Sequence, residues 1–286
     1  SDNGQITSNE KLALHTHGAL VNSNGLIASN SDVNLQTGSI SNLDGIIVAD
    51  NVTINTNGQA LTNVAGKIAS NGELNINSGE LNNDNGSLQS AGNMSINTKE
   101  ERLINTAGNT DANKGILSQG TLNINTGNLD NTAGYIAALG KTNLSVSSLN
   151  NDATGVGVST VKGTILSNDE LTITTTVGSL SNAGSQIQSA KKLVLNINED
   201  LNNTQGLIVS SGEVDITAKN IINTNTKKNS IVDKLDPITQ QAILDSNGNV
   251  VKETKLVING IQGKSVKIAA ELVDNQNGGI LSSEAL

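Results

Sequence analysis

A chain of 286 residues would ordinarily hold one or two globular domains, yet this one carries a single aromatic residue (Tyr135), one Met, one Pro and no Cys. The missing cysteine excludes disulfides, thiolate chemistry and cysteine-bound zinc. A formal net charge of −9, from 17 basic and 26 acidic side chains, argues against a nucleic-acid partner, and the apolar runs are too short to span a membrane.

Low hydrophobicity and an excess of Asn, Gly, Ser and Thr would usually read as disorder. The aliphatic residues are spaced too regularly for that. Taken in chain order, the segments Gly25-Leu-Ile-Ala-Ser, Gly45-Ile-Ile-Val-Ala, Gly66-Lys-Ile-Ala-Ser, Gly86-Ser-Leu-Gln-Ser, Gly134-Tyr-Ile-Ala-Ala and Gly206-Leu-Ile-Val-Ser repeat one pattern. Its period of about twenty residues signals a solenoid, in which each unit buries its apolar face only against its neighbours.

Within each unit an alternating couplet marks a short strand. The couplets are Leu12/Leu14, Val33/Leu35, Val52/Ile54, Leu74/Ile76, Met94/Ile96, Leu122/Ile124, Leu144/Val146, Leu171/Ile173, Leu193/Leu195, Val214/Ile216 and Val266/Ile268. The residues between them are mostly polar, such as Asn34, Thr53, Asn75 and Asn123. Short strands without helical stretches predict an all-β fold, a parallel β-helix, right-handed by the usual rule for parallel crossovers. About a dozen coils at roughly 4.8 Å each make a rod on the order of 55–60 Å long.

Two residues after the last aliphatic of each unit stands an asparagine: Asn22, Asn42, Asn63, Asn83, Asn105, Asn131, Asn151, Asn182, Asn203 and Asn223. The spacing directs it inward or into the corner, where its amide can bond to the amides of the coils above and below. Asparagine also tolerates the left-handed backbone of a sharp bend, which is expected at these positions. The ladder is read as structural. A third column, the residue before each couplet, runs Lys11, Asp32, Asn51, Glu73, Asn93, Thr121, Asn143, Glu170, Lys192, Glu213. Lys192 is expected to stack between Glu170 and Glu213, where opposite charges on neighbouring strands help.

Three spacings are long, and the expected single rod over 1–286 carries insertions at about 98–114, 152–162 and 226–255. The first contains Lys99-Glu-Glu-Arg102, and the second Gly155-Val-Gly-Val-Ser159; both read as plain loops. In the third, Asp236-Pro237 predicts the start of a helix running to Asp245, with Ile238, Ala242 and Ile243 as its apolar stripe. Asn247-Gly248 predicts a type I′ turn before Val250-Val251. The whole element is expected to pack on the flank of the rod. As the least repetitive piece it is the best place to look for a partner contact, through Asp236, Pro237, Gln240, Gln241, Asp245 and Asn247.

No catalytic, cofactor-binding or metal-ligating set emerges from the sequence. Arg102 is the only arginine and lies beside Glu100 and Glu101. Asp130 and Asp152 form the nearest carboxylate pair on neighbouring coils, but both sit at turns, and paired-acid glycoside chemistry needs a cleft between them. His15 and His17 alternate along one strand, yet two imidazoles without a third ligand make a weak metal site.

Units such as Leu81-Asn-Asn-Asp-Asn-Gly-Ser-Leu-Gln-Ser-Ala-Gly-Asn-Met-Ser-Ile-Asn-Thr98 and Leu201-Asn-Asn-Thr-Gln-Gly-Leu-Ile-Val-Ser-Ser-Gly-Glu-Val-Asp-Ile216 resemble the filamentous haemagglutinin repeat. The resemblance covers nearly the whole chain outside 226–255. It implies a piece of the shaft of a large Gram-negative exoprotein, exported by the two-partner route through an outer-membrane transporter that a missing N-terminal domain would address. Adhesins, haemolysins and contact-dependent growth inhibition effectors share the repeat. The chain starts inside a repeat unit and ends just after Gly279, as a cut from a longer protein would. Three readings follow: a structural or adhesive shaft, a segment that contacts a host or neighbouring-cell receptor or glycan, and a carbohydrate-active β-helix enzyme. The last lacks both acids across a cleft and aromatic sugar platforms.

Overall fold

The computed structural model describes residues 3–111, 113–155 and 160–284. The chain winds as a parallel β-solenoid with three faces to each turn. The first face is a twelve-stranded sheet that begins with Gln5–Ser8, Leu26–Ser29 and Ile46–Ala49 and ends with Gly260–Gly263 and Ile280–Ser282. The second face stacks the couplet strands, among them Asp32–Gln36, Asn51–Asn55 and Leu74–Asn77. Very short strands such as Ile40–Ser41 and Leu61–Thr62 make the third. In two turns the strand runs unbroken round the bend, over Leu122–Asp130 and Thr142–Asn150, and this joins the second and third faces into one sheet.

The inside of the rod follows from strict alternation. On the first face Ile27, Ile47, Ile68, Leu88 and Ile116 point inward, and on the second Val33/Leu35 stack on Val52/Ile54 and Leu74/Ile76. These side chains are 0–3% exposed, and each contributes about 1.5–3 kcal/mol of hydrophobic stabilisation against the entropy of ordering its coil. Inward serines and threonines mark the corners. Ser90 Oγ donates to the Gly92 carbonyl at 3.0 Å, and Thr98 Oγ1 to Glu101 O at 2.6 Å. They add a side-chain donor to corner carbonyls that also accept a backbone N–H from the next coil, from Gly120 and Gly127 respectively.

The structure corrects the sequence reading at five points. First, Leu122 and Ile124 align with Thr142 and Leu144, while Val146 stacks on Thr126. The couplet Leu144/Val146 is therefore displaced by two residues, and Lys141, not Asn143, occupies the outward column. A two-residue shift keeps every side chain on its own face, so alternation alone does not reveal it. Second, the left-handed residue is not the ladder asparagine but the one two positions on, as at Asn24, Asp44, Ala65, Asn85 and Gln205. The ladder position stays extended to aim its side chain inward, and the turn takes its positive φ at the third residue, as a type II turn does.

Third, no helix forms over Asp236–Asp245; two turns closed by two isolated bridges occupy 235–250 instead. The stripe has nothing to cover it: Ile238 is 89% exposed. An isolated helix of this length is marginal without such packing. Fourth, the third insertion does not lie on the rod. Lys227–Asp233 and Lys252–Ile258 pair antiparallel into a hairpin whose residues are mostly exposed, so it projects. Fifth, Asn247-Gly248 is not a type I′ turn, since Gly248 has φ +82° while Asn247 is not among the positive-φ residues. The geometry is that of a turn followed by a left-handed glycine, the three-residue hairpin loop.

The charge column stacks as the spacing requires. Glu170, Lys192 and Glu213 precede the paired residues Leu171, Leu193 and Val214 on successive strands. Lys192 pairs with Glu213 at 3.3 Å, and Glu170 turns to Lys141 at 2.8 Å.

Candidate functional surfaces

The asparagine ladder is continuous. From Asn22 through Asn42, Asn63, Asn83, Asn105, Asn131, Asn151, Asn182 and Asn203 to Asn223, each Nδ2 donates to the Oδ1 of the next coil at 2.6–2.8 Å. Asn223 then donates to Asn275 at 2.7 Å, a member the sequence reading missed because the hairpin separates the two. A second contact of Nδ2 fixes the orientation of the amides, for example Asn63 to the Ser87 carbonyl and Asn131 to the Thr164 carbonyl, both at 3.2 Å. A flipped amide would place oxygen against oxygen there. From Asn42 to Asn223 the ladder side chains are fully buried. They offer nothing to a ligand.

The repeat glycine belongs to the same device. A Cβ on Gly45 would lie 2.0 Å from the Asn22 carbonyl oxygen, and one on Gly66 2.1 Å from that of Asn42. The glycine is required because neighbouring coils approach closely at the ladder, not because φ is positive.

The six candidate contact residues of the third insertion lie beyond the paired strands of the hairpin. Asp236, Pro237, Gln240 and Gln241 fall in one turn, closed by the bridge Leu235–Ala242; Asp245 and Asn247 fall in a second, closed by Leu244–Val250. Three backbone bonds tie the base of both turns into a ring: Lys234 N–H to Val251 O, Val251 N–H to Ile243 O, and Ile243 N–H to Lys234 O. Asp236 Oδ1 accepts from the Thr239 and Ile238 amides at 2.8 and 2.9 Å, which hold its carboxyl below the ordinary carboxylate range. Asp245 is lowered in the same way by the Asn249 and Asn247 amides. Both aspartates thus organise turns. Around them Leu235, Ile238, Leu244 and Ile231 on the hairpin are exposed.

The other polar groups are spent on neighbours. Arg102 pairs with Asp130 at 3.0 Å, and Asp152 Oδ1 accepts from Ser181 Oγ and the Ala183 amide, each at 2.7 Å. Lys191 lowers the Asp169 carboxyl by a 2.8 Å hydrogen bond, and Glu170 raises Lys141. The His15 and His17 rings lie 5.5 Å apart and tilted. Among the described residues no group of three or more His, Cys, Asp or Glu could hold a metal ion, and no helix is long and apolar enough to cross a membrane. In the second insertion Thr154 and Val161 exchange a pair of 2.8 Å backbone bonds. Val156, Gly157, Val158 and Ser159 lie outside the described residues.

Comparison with curated proteins and with solved structures gives no match. The family model described as the haemagglutinin repeat matches residues 1–64, 47–109, 95–184 and 166–251. Such repeats are typical of secreted or surface-exposed bacterial proteins, and on a β-solenoid they fit an adhesin-like shaft better than an enzyme. By four overlapping matches along a ladder of stacked coils, this chain belongs to the haemagglutinin-repeat family.

Proposed function

We propose that this chain is a shaft segment of a large exported exoprotein on a Gram-negative surface, one that holds a binding or toxic activity away from the cell. The observation that carries the reading is the unbroken amide ladder: its buried asparagine amides join coil to coil, as a rigid spacer needs. Coils that contact only their neighbours can also fold one after another as a chain emerges from an outer-membrane two-partner transporter, without ATP and without disulfides. Deleting residues 45–85 joins Asp44 to Gly86 and removes two whole coils with all ladders in register. In the full exoprotein that deletion should shorten the rod by about 10 Å and keep the distal activity. An activity abolished while the rod stays folded would overturn the spacer reading.

A second reading rests on the projecting hairpin. Its exposed apolar residues and organised tip suit contact with a receptor or glycan on a host or neighbouring cell. Replacing 227–258 by a short Gly-Ser link should then abolish attachment and leave coil stacking intact; unchanged attachment excludes it.

A further inference from the structure

The first face differs from the second in shape and in chemistry. Its central outward column, Ala28, Val48, Ala69, Gln89, Leu117, Ala137 and Leu166, is half-buried, whereas Asn34, Thr53, Asn75, Ser95 and Asn123 on the second face are exposed. The first face is therefore a trough, about 890 Å³ in volume, running from the turn of Ser29 to that of Ser167. The six spacings between its seven coils, at about 4.8 Å each, make it roughly 29 Å long.

On one wall the first insertion contributes Asn113. Asn109 Nδ2 donates to the Lys162 carbonyl at 2.6 Å and to Thr164 Oγ1 at 3.0 Å, so the first insertion reaches over to the coil that closes the second. Gln89 Nε2 donates to the Asn113 carbonyl at 3.1 Å and ties the same insertion to the floor. Tyr135 lines the trough on the coil between those of Gly115 and Thr164, beneath this tie. The opposite wall carries Asn30, Asn71, Gln119 and Asn168 at the corner of alternate turns, with Ala91 and Leu139 on turns between them. Among the described residues Lys67 is the one charged side chain lining the trough, on a chain of net charge −9.

We propose that this trough binds a linear, uncharged oligosaccharide lying along the rod axis. An apolar floor of Val48, Leu117, Ala137 and Leu166 meets the C–H faces of sugar rings, Tyr135 stacks on one of them, and rim amides take the hydroxyls. The rim amides stand on every second coil, about 9.6 Å apart, close to the length of two pyranose units along a 1,4-linked chain. An extended peptide repeats every two residues at about 6.6–6.8 Å and would fall out of step. Moreover, the backbone groups of this sheet are already paired between coils, so a peptide finds no ladder on its face. The near absence of charge selects against polyanionic glycans. This goes beyond the spacer reading and stands or falls separately from it.

The test is calorimetry and saturation-transfer NMR on the 286-residue chain with hexasaccharides of β-1,4-glucose, β-1,4-N-acetylglucosamine and α-1,4-glucose, and with a heparin hexasaccharide. At least one neutral chain should bind, and Tyr135→Ala should weaken it about tenfold. Ala137→Arg, which fills the trough, should abolish binding, while Asn123→Arg on the second face should not. Circular dichroism and thermal melts confirm that each variant is folded; should Ala137→Arg not fold, Gln89→Ala serves in its place, with a severalfold loss expected. Failure of every neutral chain to bind at millimolar concentration would overturn the proposal. Preference for heparin, or binding indifferent to the trough variants, would do the same.

Discussion

Asn105 shows what one ladder residue holds. Its Oδ1 accepts from Asn83 Nδ2, and its Nδ2 donates to Asn131 Oδ1 and to the Tyr135 carbonyl. Asn105→Ala leaves two buried groups, Asn83 Nδ2 and Asn131 Oδ1, and the half-buried Tyr135 carbonyl without this partner; at about 1–3 kcal/mol for each of the two buried groups, a loss of about 2–6 kcal/mol is expected in urea unfolding. Asn105→Asp should cost more at neutral pH, because a carboxylate would face the Asn131 and Tyr135 oxygens with no proton to give. Equal losses for the two variants would contradict the donor role. Much of this was legible: a residue type recurring two positions after an inward aliphatic can hardly point elsewhere. The Ser and Thr columns at the other corners obey the same spacing rule, as at Thr37, Thr56, Ser78 and Thr98, and the sequence reading passed over them. Their small hydroxyls look like surface residues until the corner carbonyls they serve are seen.

Among the elements, the projecting hairpin has its own pH dependence. Backbone amides donate to the Asp236 and Asp245 carboxylates, so the folded tip binds protons less readily than the unfolded segment does. With folded pKa values depressed, the stabilisation is present above the unfolded aspartate value of about 3.9 and is lost as pH falls through the folded values. Relative to the intrinsic exchange rate at each pH, protection of the Thr239 and Asn249 amides should fall below about pH 4, while ladder coils stay protected; Asp236→Asn and Asp245→Asn should show weakened tips already at neutral pH. A protection factor at the tip that does not change between pH 6 and pH 3 would refute this. The helix expected here failed for a physical reason. An Asp followed by Pro caps a turn as well as a helix, and only a packing surface for Ile238 and Ile243 could have decided for the helix. The displaced couplet at Leu144 is a different kind of miss. Thr142 takes an inward apolar position, and a strand that rounds the corner without a loop removes the punctuation that would have set the frame.

At the scale of the whole molecule the rod is a one-dimensional object, and damage should stay local. Gly134 is a suitable place to test this, since a Cβ there would lie 1.9 Å from the Asn105 carbonyl oxygen. Gly134→Val should open hydrogen exchange in the coils on either side while the segments around Ile47 and Ile208 keep their protection. Uniform loss of protection would mean that the rod unfolds as one cooperative unit. The trough on the first face was illegible at this scale, because concavity is a property of seven stacked turns and of the insertion that borders them, not of any one repeat.

The uniform direction of the amide ladder has a consequence for assembly. Every finished coil shows its successor a free amide N–H and shows its predecessor an oxygen. The two ends of a growing rod are therefore chemically unlike, in the way that the ends of a polar filament are. A coil arriving from the C-terminal side meets a donor waiting for its asparagine oxygen; one presented upside down meets hydrogen against hydrogen. The chain carries an arrow through its interior, and stacking can proceed only along it.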